Sequence, residues 1–415
     1  MERRRVVVTG LGTVNPLALD IANTWESIKA GKSGIARITA FDTEEYACKI
    51  AGEVKNFDPS VWIDRKEARK MARFTQFAMA GSAQALEDAG LDKGGVDPER
   101  VGVILGNGIG GYEVTEEGVR QLALKGPRGV APMTIPKMII NEGPANIAIK
   151  YGFYGPCYCV VTACTSATDA LGAATNAIRY GQVDVAVSGG MEAAITPFGI
   201  AGFIKLTALS TAYNDNPSVA SRPFDKDRDG FVMGEGAGIL ILEELHHALD
   251  RGAKIYGEIA GYGMSCDAYH LTSPDVEGNG PARSMRWALQ DAGMEPSEID
   301  YMNAHGTSTP TNDPLETMAI KKAFGDHAKK MPISSTKSMT AHMVGGAGGI
   351  EAIISLLAIR DGFIPPTMNL ENPDEACDLD YVPNIGRKAD LRAVLSDNLG
   401  FGGHNGSLVF KKFEA

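Results

Sequence analysis

Cys164 has the local sequence of a nucleophile. The run Cys157-Tyr-Cys-Val-Val-Thr-Ala163 is rich in β-formers, whereas Ser166 to Tyr180 carries a helical pattern. The thiol is therefore expected at a sharp strand-to-helix turn, on a helix N-terminus. There the helix dipole and free backbone N–H groups favour thiolate over thiol, and the same N–H groups could hold a developing oxyanion. A lone cysteine is more often a buried hydrophobe, so the histidines matter. The chain has seven, and two lie in polar strand ends, Asn303-Ala-His305-Gly-Thr-Ser-Thr309-Pro and Ser335-Thr-Lys337-Ser-Met-Thr-Ala-His342. Ligands of an α/β sheet bind at the carboxyl ends of its strands. A helix-capped cysteine with two such histidines points to covalent catalysis assisted by imidazole. By contrast His246-His247 and His327 read as solvated surface. A zinc site on Cys164, His305 and His342 is the weaker reading, because the three lie in separate loops without a further carboxylate. Cys157 and Cys159 read as core or edge residues of a strand, so no metal is expected.

Two glycine-rich loops bear on cofactors. Gly10-Leu-Gly12-Thr-Val-Asn15 lacks the third glycine of a dinucleotide fingerprint. Gly106-Asn-Gly108-Ile-Gly-Gly111 fits G-x-G-x-x-G after a strand, and it is the basis of a rival reading as a nicotinamide enzyme. Yet Glu113, Glu116 and Glu117 crowd the start of the next segment, where a pyrophosphate needs the positive helix end. The loop is read as packing near the site, and no cofactor is expected.

The elements that must position these residues come in duplicate. Ala85-Leu-Glu-Asp-Ala-Gly90-Leu91 recurs as Ala288-Leu-Gln-Asp-Ala-Gly293-Met294. Each copy ends an amphipathic helix, stopped by a C-terminal glycine and followed by a strand. A second echo, Ala177-Ile-Arg-Tyr-Gly181 and Ala358-Ile-Arg-Asp-Gly362, closes two long helices rich in small residues. Strand and helix alternate throughout, which predicts parallel sheets covered by helices. The fold class expected is α/β, with two copies of one unit packed sheet to sheet through buried helices. Residues 1–250 carry the cysteine, residues 251–415 the two histidines.

Bulk properties narrow the class further. At 415 residues, 44% hydrophobic and 22% charged, the chain is an ordinary globular protein. A net charge of −11 argues against a nucleic-acid partner. No apolar run reaches membrane-spanning length, and Met-Glu-Arg-Arg-Arg runs straight into a short strand at Val6-Val7-Val8, so a soluble cytoplasmic protein is expected. Six cysteines do not make a disulfide framework. One segment departs from the acidic balance: Arg65, Lys66, Arg69, Lys70 and Arg73 stand against the single Glu67, with Arg65, Arg69 and Arg73 on one helix face.

Thr162-Ala-Cys164-Thr-Ser, Ser221-Arg-Pro-Phe-Asp-Lys-Asp-Arg-Asp-Gly-Phe231, the two histidine segments and Gly400-Phe401-Gly-Gly-His-Asn405 fall in one order. In that order they resemble the beta-ketoacyl-acyl carrier protein synthases, most nearly the elongating Cys-His-His enzymes of bacterial fatty-acid synthesis. The likeness runs from Val6 to Phe410. It implies a thiolase-like duplicated five-layer αβαβα fold, usually homodimeric. It also implies decarboxylative condensation of an acyl thioester on Cys164 with a malonyl thioester on acyl carrier protein. His305 and His342 would donate to the enolate oxygen, and the N–H groups of Cys164 and Phe401 would form an oxyanion hole. Lys337 would order the site with Asp313 and Glu316 as acidic partners. Thr307 and Thr309 would hold the pantetheine arm, Ile109 and Phe203 would line the acyl pocket, and Phe401 would be a gate. Arg65, Lys66, Arg69 and Lys70 would dock the acidic carrier. Glu351 matches a position near a cation in some relatives. Departures cluster near the gate: Ala341 replaces the usual Gly, Asp397-Asn398-Leu399 the common Asn-Ser-Phe, and His404 a frequent Thr. A ketosynthase of specialised polyketide chains is the alternative. A non-catalytic partner subunit is disfavoured, because such subunits typically lose the cysteine.

Overall fold

The computed structural model describes residues 3–414. Its first unit contains β1 (Val6–Val14), β2 (Val101–Gly106), β3 (Cys157–Val160), β4 (Val185–Glu192) and β5 (Gly236–Glu244), in the order β3-β2-β4-β5-β1. The second contains β6 (Gly257–Cys266), β7 (Tyr301–Asn303), β8 (Ile333–Ser334), β9 (Ala393–Gly400) and β10 (His404–Lys411), in the order β8-β7-β9-β10-β6. Each second-unit strand occupies the place of its first-unit counterpart. The directions repeat as well: β2 is parallel to β3 and β4, as β7 is to β8 and β9, and the other two pairings in each unit are antiparallel. Both sheets are therefore mixed, not parallel as the strand–helix alternation suggested. In the second unit the reason is local, because β9 and β10 form a hairpin closing at Gly400 and His404, and a hairpin is antiparallel by construction. The edge strands β1 and β6 pair at Val7–Glu258 and Val8–Gly257, joining the units into one ten-stranded sheet.

Helices make the remaining layers. α1 (Arg73–Ala89) covers the outer face of the first sheet against β1 and β5. α3 (Asn279–Ala292) covers the second against β6 and β10, with α4 (Asn312–Phe324) beside it. α2 (Ser166–Arg179) and α5 (Ala347–Asp361) lie between the sheets, which gives five layers. Every residue of α5 from Ala347 to Ile359 is buried, apolar but for Glu351 and Ser355, and a helix this apolar belongs inside. The glycines of β1 now have a purpose. A Cβ on Gly10 or Gly12 would lie 2.1 or 2.0 Å from carbonyl oxygens of α1, and one on Gly261 or Gly263 of β6 would meet α3 at 2.1 Å. Close helix-on-strand packing, repeated in both units, accounts for Gly10-Leu-Gly12 without a nucleotide. No helix among the described residues is long and apolar enough to cross a membrane.

Candidate active site

Cys164 lies in a tight turn, Ala163–Thr165, leading directly into α2. The turn is costly, since Ala163 has a φ of +52°. Side chains hold it in place. The Ser166 hydroxyl donates to the Ala163 carbonyl at 2.6 Å, and the Thr162 hydroxyl donates to Asp169 at 2.6 Å. Asp169, in the first turn of α2, also accepts from the Tyr262 hydroxyl of the second unit at 2.8 Å. The strand-to-helix placement agrees with the sequence, but the expected thiolate does not follow. Burial pushes the Cys164 thiol up to about 12, opposed chiefly by the charge of Lys337. Desolvation outweighs the helix terminus here.

The thiol instead has a hydrogen-bonding neighbour, because Nε2 of His342 stands 3.1 Å from Sγ. His305 approaches from β7, its ring perpendicular to that of His342 with centroids 5.2 Å apart. The sequence reading assigned both imidazoles to the malonyl group, whereas the structure sets one of them against the cysteine. Burial, reinforced by the positive charge of Lys337, holds both histidines well below their ordinary range, so both are neutral at physiological pH. Phe231 packs edge-on against His342 with centroids 5.2 Å apart. The His305 N–H donates to Asp397 at 3.1 Å, and Nδ1 of His305 lies 3.2 Å from Nδ2 of Asn398.

Lys337 is almost wholly buried, and its ammonium pairs with Glu351. Neither expected partner, Asp313 or Glu316, makes that contact, nor does either line the cavity that holds Cys164. Asp313 accepts from the Phe224 N–H at 2.8 Å and faces Arg228 at 3.6 Å, pinning the Ser221–Phe231 segment. Glu316 accepts from the Gly306 N–H at 2.8 Å, so it braces the His305 loop from behind. The resemblance implied that pairing; in the structure Glu316 senses the Lys337 charge without touching it, and Asp313 is engaged with Arg228.

Cys164, His305 and His342 share a cavity of about 620 Å³ with Thr307, Thr309, Ile109, Phe203 and Phe401. The hydroxyls of Thr307 and Thr309 lie 3.0 Å apart at its wall. Phe203 and Phe401 stack with centroids 6.4 Å apart. The Phe401 N–H faces the Cys164 thiol, and Gly402 and Gly403 follow with φ of +90° and +76°, a turn that side chains resist. The Gly106–Gly111 loop supplies Ile109 to the cavity, while the Gly108 N–H donates to Glu192 at 2.9 Å. Glu113 and Glu116 accept from the N–H groups of Arg73 and Phe198, so they serve other helix starts.

The basic segment is reorganised relative to expectation. Asp64 caps a single helical turn, Arg65–Ala68, and α1 begins afresh at Arg73, so Arg65, Arg69 and Arg73 share no helix face. Arg73 turns inward to Glu235 at 2.6 Å and over the Phe77 ring at 4.7 Å. Arg65, Lys66, Arg69 and Lys70 stay exposed, with Lys70 paired to Glu67 at 2.7 Å. His246 is exposed, but His247 reaches buried Glu243 at 2.5 Å and His327 reaches the Ile299 carbonyl at 2.8 Å, so these two are structural.

Residues 3–248 match the family described as Beta-ketoacyl synthase, N-terminal domain, and residues 256–371 match Beta-ketoacyl synthase, C-terminal domain. The chain is 51% identical over 414 residues to a 3-oxoacyl-[acyl-carrier-protein] synthase 2 of Synechocystis sp., covering 100% of this chain and 99% of that one. It is 52% identical over 412 residues to the protein of the same name from Coxiella burnetii, covering 99% of each. A solved type II polyketide ketosynthase in complex with its acyl carrier protein aligns over the whole of both chains with a TM-score of 0.93 at 35% identity. A Beta-ketoacyl synthase from Burkholderia phymatum aligns with a TM-score of 0.92 at 35% identity, over 99% of this chain and 100% of that one.

Proposed function

The chain belongs to the beta-ketoacyl synthase family, and from that premise we propose how its residues divide the work of decarboxylative condensation in fatty-acid elongation. The reaction joins an acyl thioester to malonyl-acyl carrier protein. Full-length identity of about half to relatives named 3-oxoacyl-[acyl-carrier-protein] synthase 2, against 35% to the polyketide ketosynthase, favours elongation over specialised chains.

The 3.1 Å approach of His342 Nε2 to Cys164 Sγ carries the proposal. In the first half-reaction the thiol proton passes to that nitrogen as sulfur attacks the acyl carbonyl. The proton then leaves with the carrier thiolate, so the enzyme ends as a neutral acyl-Cys164 thioester. In the second, malonyl carrier enters along Thr307 and Thr309. Its terminal C–C bond breaks, carbon dioxide leaves, and the electron pair becomes an enolate stabilised by N–H donation from the imidazole side, chiefly His305. The enolate carbon attacks the acyl-Cys164 carbonyl, whose oxyanion the N–H groups of Cys164 and Phe401 receive. Collapse releases the lengthened 3-oxoacyl chain on the carrier and a Cys164 thiolate, which takes one proton from solvent to restore the thiol.

We further infer a carrier-docking face at Arg65, Lys66, Arg69 and Lys70, a cytoplasmic place of action and a homodimer. Supporting the last, β3 is an open sheet edge with Cys157 and Tyr158 exposed, and such an edge invites pairing.

The test is parallel measurement of carbon dioxide release and acyl-enzyme mass. Cys164→Ala should abolish condensation yet still decarboxylate malonyl carrier. His305→Ala should still be acylated but lose decarboxylation by about a hundredfold, the usual loss for an oxyanion donor. His342→Ala should lose both. A His305→Ala enzyme that releases carbon dioxide at the parent rate would overturn the assignment.

A further inference from the structure

Asn398, at the end of β9, is fully buried and has three polar partners. Its Oδ1 lies 2.5 Å from the Thr168 hydroxyl of α2, and its Nδ2 lies 2.7 Å from Glu351 Oε2 of α5 and 3.2 Å from Nδ1 of His305. Only one orientation of the amide satisfies all three. Burial raises the Glu351 carboxyl, opposed first by the Lys337 charge, and its ion pair with that ammonium makes it a carboxylate that accepts but cannot donate. The NH₂ group must therefore face Glu351, which leaves the carbonyl for the Thr168 hydroxyl. Two hydrogens on Nδ2 serve two acceptors, Glu351 and the Nδ1 lone pair of His305. An imidazole accepting at Nδ1 carries its proton on Nε2.

We propose that Asn398 is a positioning residue that fixes His305 as the Nε2–H tautomer, so that the ring presents a donor to the enolate. This rests on the enolate-donor reading of His305. The backbone is fixed from the same strand, because Asp397 accepts the His305 N–H at 3.1 Å. Consecutive residues of β9 thus hold the main chain and the ring of one histidine. A hydroxyl in this place could donate or accept, whereas the amide NH₂ can only donate. The constraint in this chain is one-way, and it connects the Lys337–Glu351 pair to the histidine through one side chain. The titratable groups around His305 are His342, Lys337, Glu351, Cys164 and Asp397, with Glu316 behind Asp397.

Asn398→Asp and Asn398→Leu in the full chain test the idea, with carbon dioxide release from malonyl carrier and acylation of Cys164 both followed across pH. An aspartate would share one proton with Glu351, 2.7 Å away, and its remaining lone pairs would accept from Nδ1–H and leave a lone pair on Nε2. Release should then fall by about a hundredfold at neutral pH, with acylation within about threefold. It should also recover toward acid pH, where the imidazolium again offers Nε2–H, a profile the parent lacks. Asn398→Leu removes the donor without adding charge, so release should fall about tenfold more than acylation, with no new titration. Parent-like release and pH profile in a folded Asn398→Asp enzyme would overturn the proposal. So would proportionate loss of both half-reactions, since that marks a scaffold role. Should the aspartate variant not fold, the leucine variant decides by the same ratio. His305→Ala separates the levels: if it keeps the parent rate, the donor reading itself fails. If it loses the rate while both Asn398 variants keep it, only the tautomer assignment fails.

Discussion

Replacing Lys337 by methionine removes the ammonium and keeps most of the side-chain volume. Lys337 and Glu351 are each 1% exposed, so the change strands a carboxylate with one remaining partner, Asn398 Nδ2. Breaking one side of a buried pair costs about 3–5 kcal/mol, because the surviving charge stays desolvated. Replacing both, as Lys337→Met with Glu351→Leu, removes that charge and leaves one unpaired Asn398 hydrogen, worth about 1–3 kcal/mol. The double variant should therefore be more stable than the single one. Urea midpoints at unchanged slope read the difference. Function should not return with stability. Lys337 adds to burial in depressing both histidines, and His342 must be neutral to take the thiol proton. Without the ammonium the depression shrinks, and the acid limb of Cys164 acylation should move to higher pH. Sign and window agree with linkage: a histidine held below its free value of about 6.5 contributes stability above that pH and loses it as pH falls through the folded value. A single variant as stable as the parent would refute the pairing argument. An unmoved acid limb in the double variant would refute the electrostatic one.

Glu192 is fully buried and raised to about 7 by burial, with the N–H groups of Gly345 and Gly108 opposing. Its contribution is present below its free value and lost as pH rises through about 7. Glu192→Gln keeps an acceptor for both N–H groups, so it should match the parent in acid and exceed it by about 3 kcal/mol above pH 7. Urea unfolding on either side of neutrality checks this, and a pH-independent difference would refute it. On the docking face, Arg69→Glu with Lys70→Glu should raise the apparent KM for acyl-carrier substrates several-fold and leave small thioester surrogates unaffected. Steady-state kinetics on both substrate types decide, and equal losses would remove the docking surface.

Much of the fold was legible because duplication writes itself into sequence. The Ala85–Leu91 and Ala288–Met294 repeats mark the ends of α1 and α3, where Gly90 and Gly293 adopt φ of +70° and +65°, a conformation that selects glycine. Cys164, His305 and His342 were legible as types at strand and helix ends, and the cavity brings all three together. Other relations depended on register across layers. Nothing in the spacing of Asp313 and Glu316 says which way α4 turns them, and nothing in Arg65 to Arg73 says that the helix breaks after Ala68. Asn398 stood out only as a departure near the gate. Its contacts join β9, α2 and α5, which are remote in the chain, so no local pattern could expose them.

The same duplication explains why one cavity holds unlike groups. Cys164 lies in the turn Ala163–Thr165 before α2, and His342 lies just ahead of the equivalent turn, Val344–Gly346, before α5. Both turns open on a non-glycine residue at positive φ, Ala163 at +52° and Val344 at +42°. For a β-branched valine that backbone is costly by about 1–3 kcal/mol. Its retention makes sense where the turn is needed. Val344 lines the cavity, and the following Gly345 N–H donates to Glu192 of the other unit at 3.1 Å. The loops after β2 and β7 form a second matched pair. One gives Ile109 to the wall, and the other gives His305, Thr307 and Thr309 to the chemistry. Each unit therefore delivers a helix-capping turn and a strand-end loop to the same space between the sheets. On the proposed division of labour, the first unit carries the acyl group on Cys164 and the second supplies both imidazoles, with Phe401 added from the β9–β10 hairpin.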